Sequence, residues 1–138
     1  MGILRREVHS EGRSPRVLLV DDDPVIVRLL QVNFRLEGYE VDSAASGEAA
    51  LQRIRESLPD VIVLDVMMPG VDGWEVCAKI KEDPEAKGVP VVLLSARAQD
   101  EDLQRGYALG VDEYVTKPFD PAHLLEIVRR VLARTQRA

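Results

Sequence analysis

The residues of this sequence best suited to chemistry each follow an apolar run. Carboxylates stand together in Asp21-Asp22-Asp23, and another carboxylate, Asp65, follows the apolar run 61–64. Ser95 and Lys117 follow two later runs. Carboxylates held close together repel one another and favour a cation between them, whereas a hydroxyl and an ammonium suit the oxygens of a phosphoryl group. These residue types predict a site for metal-assisted phosphoryl transfer, provided that the fold brings them together.

The expected metal ion is Mg²⁺. Oxygen ligands without His or Cys nearby favour a hard divalent ion that keeps several waters and adds a phosphoryl oxygen, and Asp21, Asp22 and Asp65 are the candidate ligands. A carboxylate is also a nucleophile that forms aspartyl phosphates, and a metal ion and a lysine stabilise the charge of the transferred group. Asp65 is the candidate acceptor, with Lys117 and Ser95 beside it.

Each of these residues also has an ordinary structural role. An Asp after a strand often caps the next turn or helix, and an acidic run complements a helix N-terminus. A serine at a strand end commonly forms a turn, and a lysine before proline is commonly solvated. Capping and metal binding therefore both remain open for Asp65 and for the acidic run.

The elements that would position these residues are strands and helices in alternation. Uninterrupted apolar runs bounded by turn signals are typical of strands buried on both faces of a parallel sheet. The sequence predicts strands at 16–20, 39–44, 61–64, 89–94 and 113–116, and helices at 24–37, 46–57, 72–83, 100–109 and 120–135. This order predicts an α/β fold with a single doubly wound, five-stranded parallel sheet and five helices, whose strand carboxyl ends meet at one edge.

Composition limits the function and the location. The 138 residues suffice for one domain, and the net charge of -6 argues against a nucleic-acid surface. A single cysteine, Cys77, excludes a disulfide framework and fits a reducing cytosol, and no apolar run is long enough to span a membrane. We therefore expect a cytoplasmic protein with a flexible leader over residues 1–15 and one domain over residues 16–135.

Four motifs, in order, resemble the CheY-like receiver domain of two-component response regulators. They are Val17-Leu18-Leu19-Val20-Asp21-Asp22-Asp23-Pro24, Val63-Leu64-Asp65-Val66-Met67-Met68-Pro69-Gly70-Val71-Asp72-Gly73, Leu94-Ser95-Ala96 and Tyr114-Val115-Thr116-Lys117-Pro118-Phe119. The resemblance covers about residues 16 to 135. It implies the flavodoxin-like strand order 2-1-3-4-5.

The resemblance also implies a phosphorylation site. Asp65 would accept a phosphoryl group from a histidine kinase or a histidine phosphotransfer protein. Asp22, Asp65 and the backbone carbonyl of Met67 would bind Mg²⁺ directly, and Asp21 would act largely through water. The protein would be a signalling switch that catalyses only its own phosphorylation and dephosphorylation.

A conformational switch is implied as well. Ser95 would turn toward the phosphoryl group, and Tyr114 would move inward and alter the face formed by the fourth helix, the fifth strand and the last helix. The altered face would bind a downstream protein target or a second copy of the chain. The resemblance further implies a cis Lys117-Pro118 bond and a role for Met67 and Arg97 in the phosphoryl lifetime.

Two helices carry more apolar surface than a core-facing stripe needs. On the last helix, an apolar arc of about 160° exceeds the usual ~100° and predicts one partly exposed flank, unless the core contact is broad. Its residues are Leu124, Leu125, Ile127, Val128, Val131 and Leu132. The first helix is apolar over a wider arc, and part of it would receive the donor's helices, as the resemblance implies.

Two rival functions remain open at this stage. A haloacid-dehalogenase-like hydrolase also forms an aspartyl phosphate after a strand, but it needs a second Asp two residues later, where Met67 stands. A receiver-like scaffold that never carries phosphate is disfavoured by the intact acidic pair, Asp65, Ser95 and Lys117. Because the chain stops soon after the last predicted helix, we expect no output domain here.

Overall fold

The computed structural model describes residues 14–68, 70–96 and 100–137, with the side chains of residues 100–102 and 136–137 outside that description. Most of the predicted leader, over residues 1–15, and Arg97 also lie outside the described residues. The role of Arg97 in phosphoryl lifetime and the flexibility of the leader therefore stay predictions.

Five strands alternate with five helices, as predicted. The strands are β1 (Arg16–Val20), β2 (Glu40–Ala44), β3 (Val61–Asp65), β4 (Val91–Ser95) and β5 (Glu113–Thr116). The helices are α1 (Pro24–Leu36), α2 (Gly47–Glu56), α3 (Gly73–Glu82), α4 (Asp100–Ala108) and α5 (Pro121–Arg137). Their limits differ from the predicted ones by no more than two residues, the largest differences being the later start of β4 and the later end of α5.

Local signals explain where the helices begin and end. The side chain of Asp23 accepts a hydrogen bond from the Val25 N–H and caps α1, with Pro24 as the first helical residue. Gly38 and Gly110 follow α1 and α4 with φ values of 93° and 89°, in the left-handed region where glycine carries no steric penalty. These signals turn the chain back toward the sheet.

The five strands form one parallel sheet in the order β2-β1-β3-β4-β5. This order confirms the predicted flavodoxin-like topology. In the register of the sheet, Val20 lies opposite both Ala44 and Leu64, and Asp65 lies opposite Leu94. The residues that follow β1, β3 and β4 are consequently neighbours at one edge.

Two apolar layers cover the sheet. One layer joins alternate strand residues such as Leu18 and Leu64 to α2 and α3, and the other joins Val17 and Val63 to α1 and α5. The strands are therefore buried on both faces, as their uninterrupted apolar runs predict. None of the helices in the described part of the chain is long and apolar enough to cross a bilayer.

The partly exposed flank predicted for α5 is limited to Leu125. Five of its six apolar residues are buried, and only Leu125 remains half-buried, because α5 packs broadly against the sheet beside α1. The wide apolar arc of α5 therefore forms a broad core contact, which was the alternative to an exposed flank. On α1, by contrast, Val25, Leu29, Val32 and Leu36 are exposed.

Candidate functional site

The ends of β1 and β3 bring three carboxylates together. Asp21 and Asp22 follow β1, and Asp65 is the last residue of β3. One oxygen from each of the three carboxylates lies within 4.8 Å of the others. The prediction that these residues meet at one sheet edge is confirmed, and the arrangement could hold a cation between them.

Asp65 is buried, with 3 % of its surface exposed. Its Oδ1 atom accepts a hydrogen bond from the backbone N–H of Met67 at 3.1 Å. The Nζ atom of Lys117 lies 3.5 Å from its Oδ2 atom. The Met67 contact caps the turn that follows β3, as the capping alternative predicts. The Lys117 contact adds an ion pair, so Asp65 is both a turn cap and an oriented anion.

Asp21 is equally buried, and both of its oxygens are engaged. Its Oδ1 atom accepts a hydrogen bond from the Asp23 N–H at 2.9 Å, and its Oδ2 atom lies 3.1 Å from Lys117 Nζ. Lys117 thus bridges Asp21 and Asp65. The sequence predicts this ammonium beside Asp65 but not its ion pair with Asp21, because β1 and β5 are not neighbours in the sheet.

The charge balance of the site is unfavourable without a further cation. Burial, together with the negative charge of Asp21, raises the pKa of Asp65 from 3.8 to about 6, although Lys117 and the Met67 N–H oppose the shift. Burial alone would lower the pKa of Lys117, but its hydrogen bond with Asp21 and the charges of Asp65 and Asp21 outweigh burial and raise it. One ammonium does not offset three carboxylates.

Asp22 completes the acidic cluster from the solvent side. It is exposed, unlike Asp21 and Asp65. An ion bound among the three carboxylates would therefore keep contact with water, as Mg²⁺ does in sites built from one or two carboxylates. All three donors are carboxylate oxygens, so the donor set fits Mg²⁺; the Met67 carbonyl remains a predicted ligand.

Ser95 and Lys117 reach the same edge from β4 and β5. Ser95 is the last residue of β4, is 1 % exposed, and lies one position beyond the residue paired with Asp65. The backbone N–H of Lys117 donates to the Ser95 carbonyl at 2.7 Å. The Lys117-Pro118 peptide bond is cis, as the resemblance implied.

Tyr114 lies on β5, half-buried against the apolar layer that contains α2 and α3. Its ring centroid is 6.4 Å from that of Trp74, with the ring planes tilted by 41°. This pairing was not predicted, because no sequence pattern links a residue of α3 to one on β5. The proposed movement of Tyr114 would therefore involve Trp74.

Gly73 makes a close backbone contact with the end of β3 that the sequence does not indicate. At Gly73, the first residue of α3, an added Cβ atom would lie 2.5 Å from the Asp65 carbonyl oxygen and 2.6 Å from the Val66 Cα atom. Its N–H donates to the Val66 carbonyl at 3.0 Å. Asp72-Gly73 indicated a helix start in the sequence, but only the fold shows that α3 begins against the backbone at the end of β3.

Comparison with known proteins gives a consistent match. A family model described as the response regulator receiver domain matches residues 17–129. The chain is 38% identical over 122 residues to the phosphate regulon transcriptional regulatory protein PhoB of Rhizobium meliloti, covering 88% of this chain and 54% of that protein. It is 45% identical over 116 residues to the response regulator PleD of Caulobacter vibrioides, covering 84% of this chain and 26% of that protein.

A solved structure agrees with these sequence matches. A putative response regulator from Chloroflexus aurantiacus superposes with a TM-score of 0.83 at 38% sequence identity, covering 88% of this chain and 99% of that one. The chain spans about half the length of PhoB and about a quarter of PleD. The similarity therefore concerns one domain of those regulators.

Proposed function

The chain belongs to the response regulator receiver domain family of two-component signalling, and from that premise we propose that Asp65 is its phosphoacceptor and that Asp21, Asp22 and Asp65 bind Mg²⁺. The single observation that supports this assignment most strongly is the convergence of three carboxylates and Lys117 from separate strand ends. The Met67 carbonyl is the proposed fourth protein ligand.

Each side chain has a distinct part in the proposed transfer. An oxygen of Asp65 forms the new bond to phosphorus as the bond between phosphorus and the donor nitrogen breaks, and the released donor imidazole takes up a proton from solvent. Lys117, already 3.5 Å from the Asp65 carboxylate, stabilises the negative oxygens of the transferred group. Bound Mg²⁺ supplies further neutralisation of that charge. Ser95, the last residue of β4, donates a hydrogen bond to a phosphoryl oxygen in this proposal.

The proposed donor is a histidine kinase or a histidine phosphotransfer protein. The exposed apolar residues of α1, namely Val25, Leu29, Val32 and Leu36, are proposed to receive the donor's helices; we call this set the α1 stripe. Their side chains recur at intervals of four, three and four positions and so follow one face of the helix. An apolar row of this kind suits docking against another amphipathic helix.

The proposed output is a change of the α4-β5-α5 face. Ser95 turns toward the phosphoryl group, Tyr114 moves inward, and the altered face binds a downstream protein target or a second copy of the chain. The half-buried position of Tyr114 on β5 supports this role. The haloacid-dehalogenase alternative is disfavoured, because that chemistry needs a second Asp two residues after the nucleophile and Met67 stands there.

Labelling with acetyl phosphate tests the phosphoacceptor assignment. With Mg²⁺ present, the wild type is expected to gain one phosphoryl group by intact mass, and Asp65→Asn is expected to gain none, because an amide is not a comparable nucleophile. Glu75→Gln is the matched control, since it removes an exposed carboxylate from α3. Full labelling of Asp65→Asn, or equal loss in both variants, would refute the assignment.

A further inference from the structure

Trp74 connects the acceptor strand to α4. It lies in the first turn of α3, is 7 % exposed, and follows Gly73, whose backbone is pressed against the carbonyl of Asp65. The Trp74 backbone consequently lies next to the end of β3.

The α4 helix contacts the aromatic pair of Trp74 and Tyr114 at two successive positions. The guanidinium carbon of Arg105 lies 4.6 Å from the centroid of the Trp74 ring, within the range of a cation–π interaction. At Gly106, an added Cβ atom would lie 3.3 Å from the Tyr114 Cδ2 atom and 3.4 Å from a Leu93 methyl group. Thus α4 covers Trp74 with Arg105 and lies against Tyr114 at Gly106.

We propose that Arg105 is a positioning residue that, stacked on Trp74, holds the Trp74–Tyr114 pair against α4. Tyr114 then cannot leave Trp74 without disturbing the contact that anchors α4. Trp74 directly follows Gly73, whose backbone lies against the Asp65 carbonyl, so a displacement at the end of β3 reaches α4 through Gly73, Trp74 and the Arg105 guanidinium. The stacking role stands independently, whereas its effect on switching depends on the proposed function.

The first test needs neither metal nor phosphate. Trp74 is the only tryptophan in the sequence, so quenching of its fluorescence by acrylamide measures how accessible its ring is to solvent. Arg105→Gln is expected to increase quenching, and Arg105→Lys to restore part of the protection because it keeps a cation. Arg130→Gln, which changes an exposed arginine of α5, is expected to quench as the wild type does. Equal quenching in Arg105→Gln and the wild type would overturn the proposal.

The second test measures binding of beryllofluoride, a phosphoryl mimic, with Mg²⁺ present. Because the stack opposes departure of Tyr114 from Trp74, Arg105→Gln is expected to bind the mimic about two- to fivefold more tightly, the factor that an exposed cation–π contact represents. Affinity for Mg²⁺ alone is expected to be unchanged. Unchanged or weaker binding of the mimic would contradict the switching role. If the wild type binds no mimic, the proposed function fails, and the quenching comparison still decides the stacking role.

Discussion

At the scale of single residues, the site is defined by an excess of buried negative charge. Asp21 and Asp65 are each 3 % exposed, and Lys117 lies close to both of them. With Asp22 included, three carboxylates face one ammonium. Such an imbalance is unfavourable in the isolated protein and would be relieved by a bound divalent cation, which supports the proposed metal site.

The raised pKa of Asp65 predicts a pH effect in metal-free buffer. Because the pKa is about 6 in the folded protein and 3.8 ordinarily, the folded state favours the protonated carboxyl. Stability from this group is fully present below the ordinary pKa and is lost as the pH rises through about 6. Measured by urea unfolding with a chelator, the wild type is expected to lose on the order of 1–2 kcal/mol relative to Asp65→Asn between about pH 4 and pH 7. If the difference in the free energy of unfolding between the two proteins were the same at all pH values in that range, the raised pKa of Asp65 would be contradicted.

Residue types predicted the members of the site, but not all of their contacts. Asp65 was identified because a carboxylate follows a buried strand, and Lys117 because it ends another. The bridge from Lys117 to Asp21 depends on side-chain reach across the sheet edge, which strand order alone does not specify. The contact of Arg105 with Trp74 was missed for a related reason, since an exposed arginine on a helix has many possible partners.

At the scale of elements, the close approach of α3 to β3 is the contact that places the site loop. A side chain at Gly73 would collide with the backbone of Asp65 and Val66, so the start of α3 depends on the absence of a Cβ atom. This requirement is steric and does not involve an unusual backbone angle. It also explains why the loop after Asp65 returns closely to the end of its own strand.

Substituting this glycine is expected to destabilise the fold. Gly73→Ala places a Cβ atom against backbone atoms that cannot rotate away, and overpacking of this kind costs about 1–3 kcal/mol in the free energy of unfolding. Gly88→Ala is the matched control, because an added Cβ there meets nothing within 4 Å, and its effect is expected to stay within about 0.5 kcal/mol. Urea denaturation compares the two; equal effects would show that the contact at Gly73 is unimportant.

Element boundaries followed from local signals where those signals were strong. Capping by Asp23 and the glycines after α1 and α4 placed those helices. The wide apolar arc of α5 was ambiguous, since the same pattern suits an exposed docking flank or a broad core contact. In the structure, α5 packs beside α1 and against the sheet, so its apolar arc belongs to the core. This long-range contact has no local signature in the sequence.

At the scale of the whole molecule, the two helical layers differ in what they leave exposed. In the layer of α1 and α5, most apolar residues of α5 are buried, whereas the α1 stripe is exposed to solvent. Asp22, exposed at the start of α1, lies at one end of this helix. A protein that docked along α1 would therefore lie beside the acidic cluster.

The α1 stripe can be tested without identifying the natural kinase. Leu29→Ser with Val32→Ser is expected to slow phosphotransfer from a histidine kinase that phosphorylates the wild type, while labelling by acetyl phosphate stays unchanged, because the small donor does not need the stripe. Leu58→Ser removes a similarly exposed apolar side chain after α2 and is expected to transfer normally. Equal transfer rates in all three proteins would remove the stripe from the account.

The topology was the most predictable feature of the molecule, because alternating buried strands and amphipathic helices allow few arrangements of a parallel sheet. That topology by itself brings the ends of β1 and β3 together. What it does not give is the distance between individual carboxylate oxygens, on which joint binding of one ion depends.

Titration of Mg²⁺ into the wild type, Asp22→Asn, Asp65→Asn and the double variant tests that joint binding most directly, with Trp74 fluorescence or calorimetry as the readout. We expect one ion per chain and an affinity lowered by either substitution at least as much as the loss of an outer-shell partner lowers it, roughly tenfold or more. The double variant is expected to bind more weakly than either single variant, because it removes two of the three carboxylates from the same ion. Asp23→Asn, which removes a neighbouring charge but keeps an N-capping side chain, should bind nearly as the wild type does. Wild-type affinity in Asp22→Asn, or two ions per wild-type chain of which each substitution removes only one, would contradict a shared metal site beside Asp65.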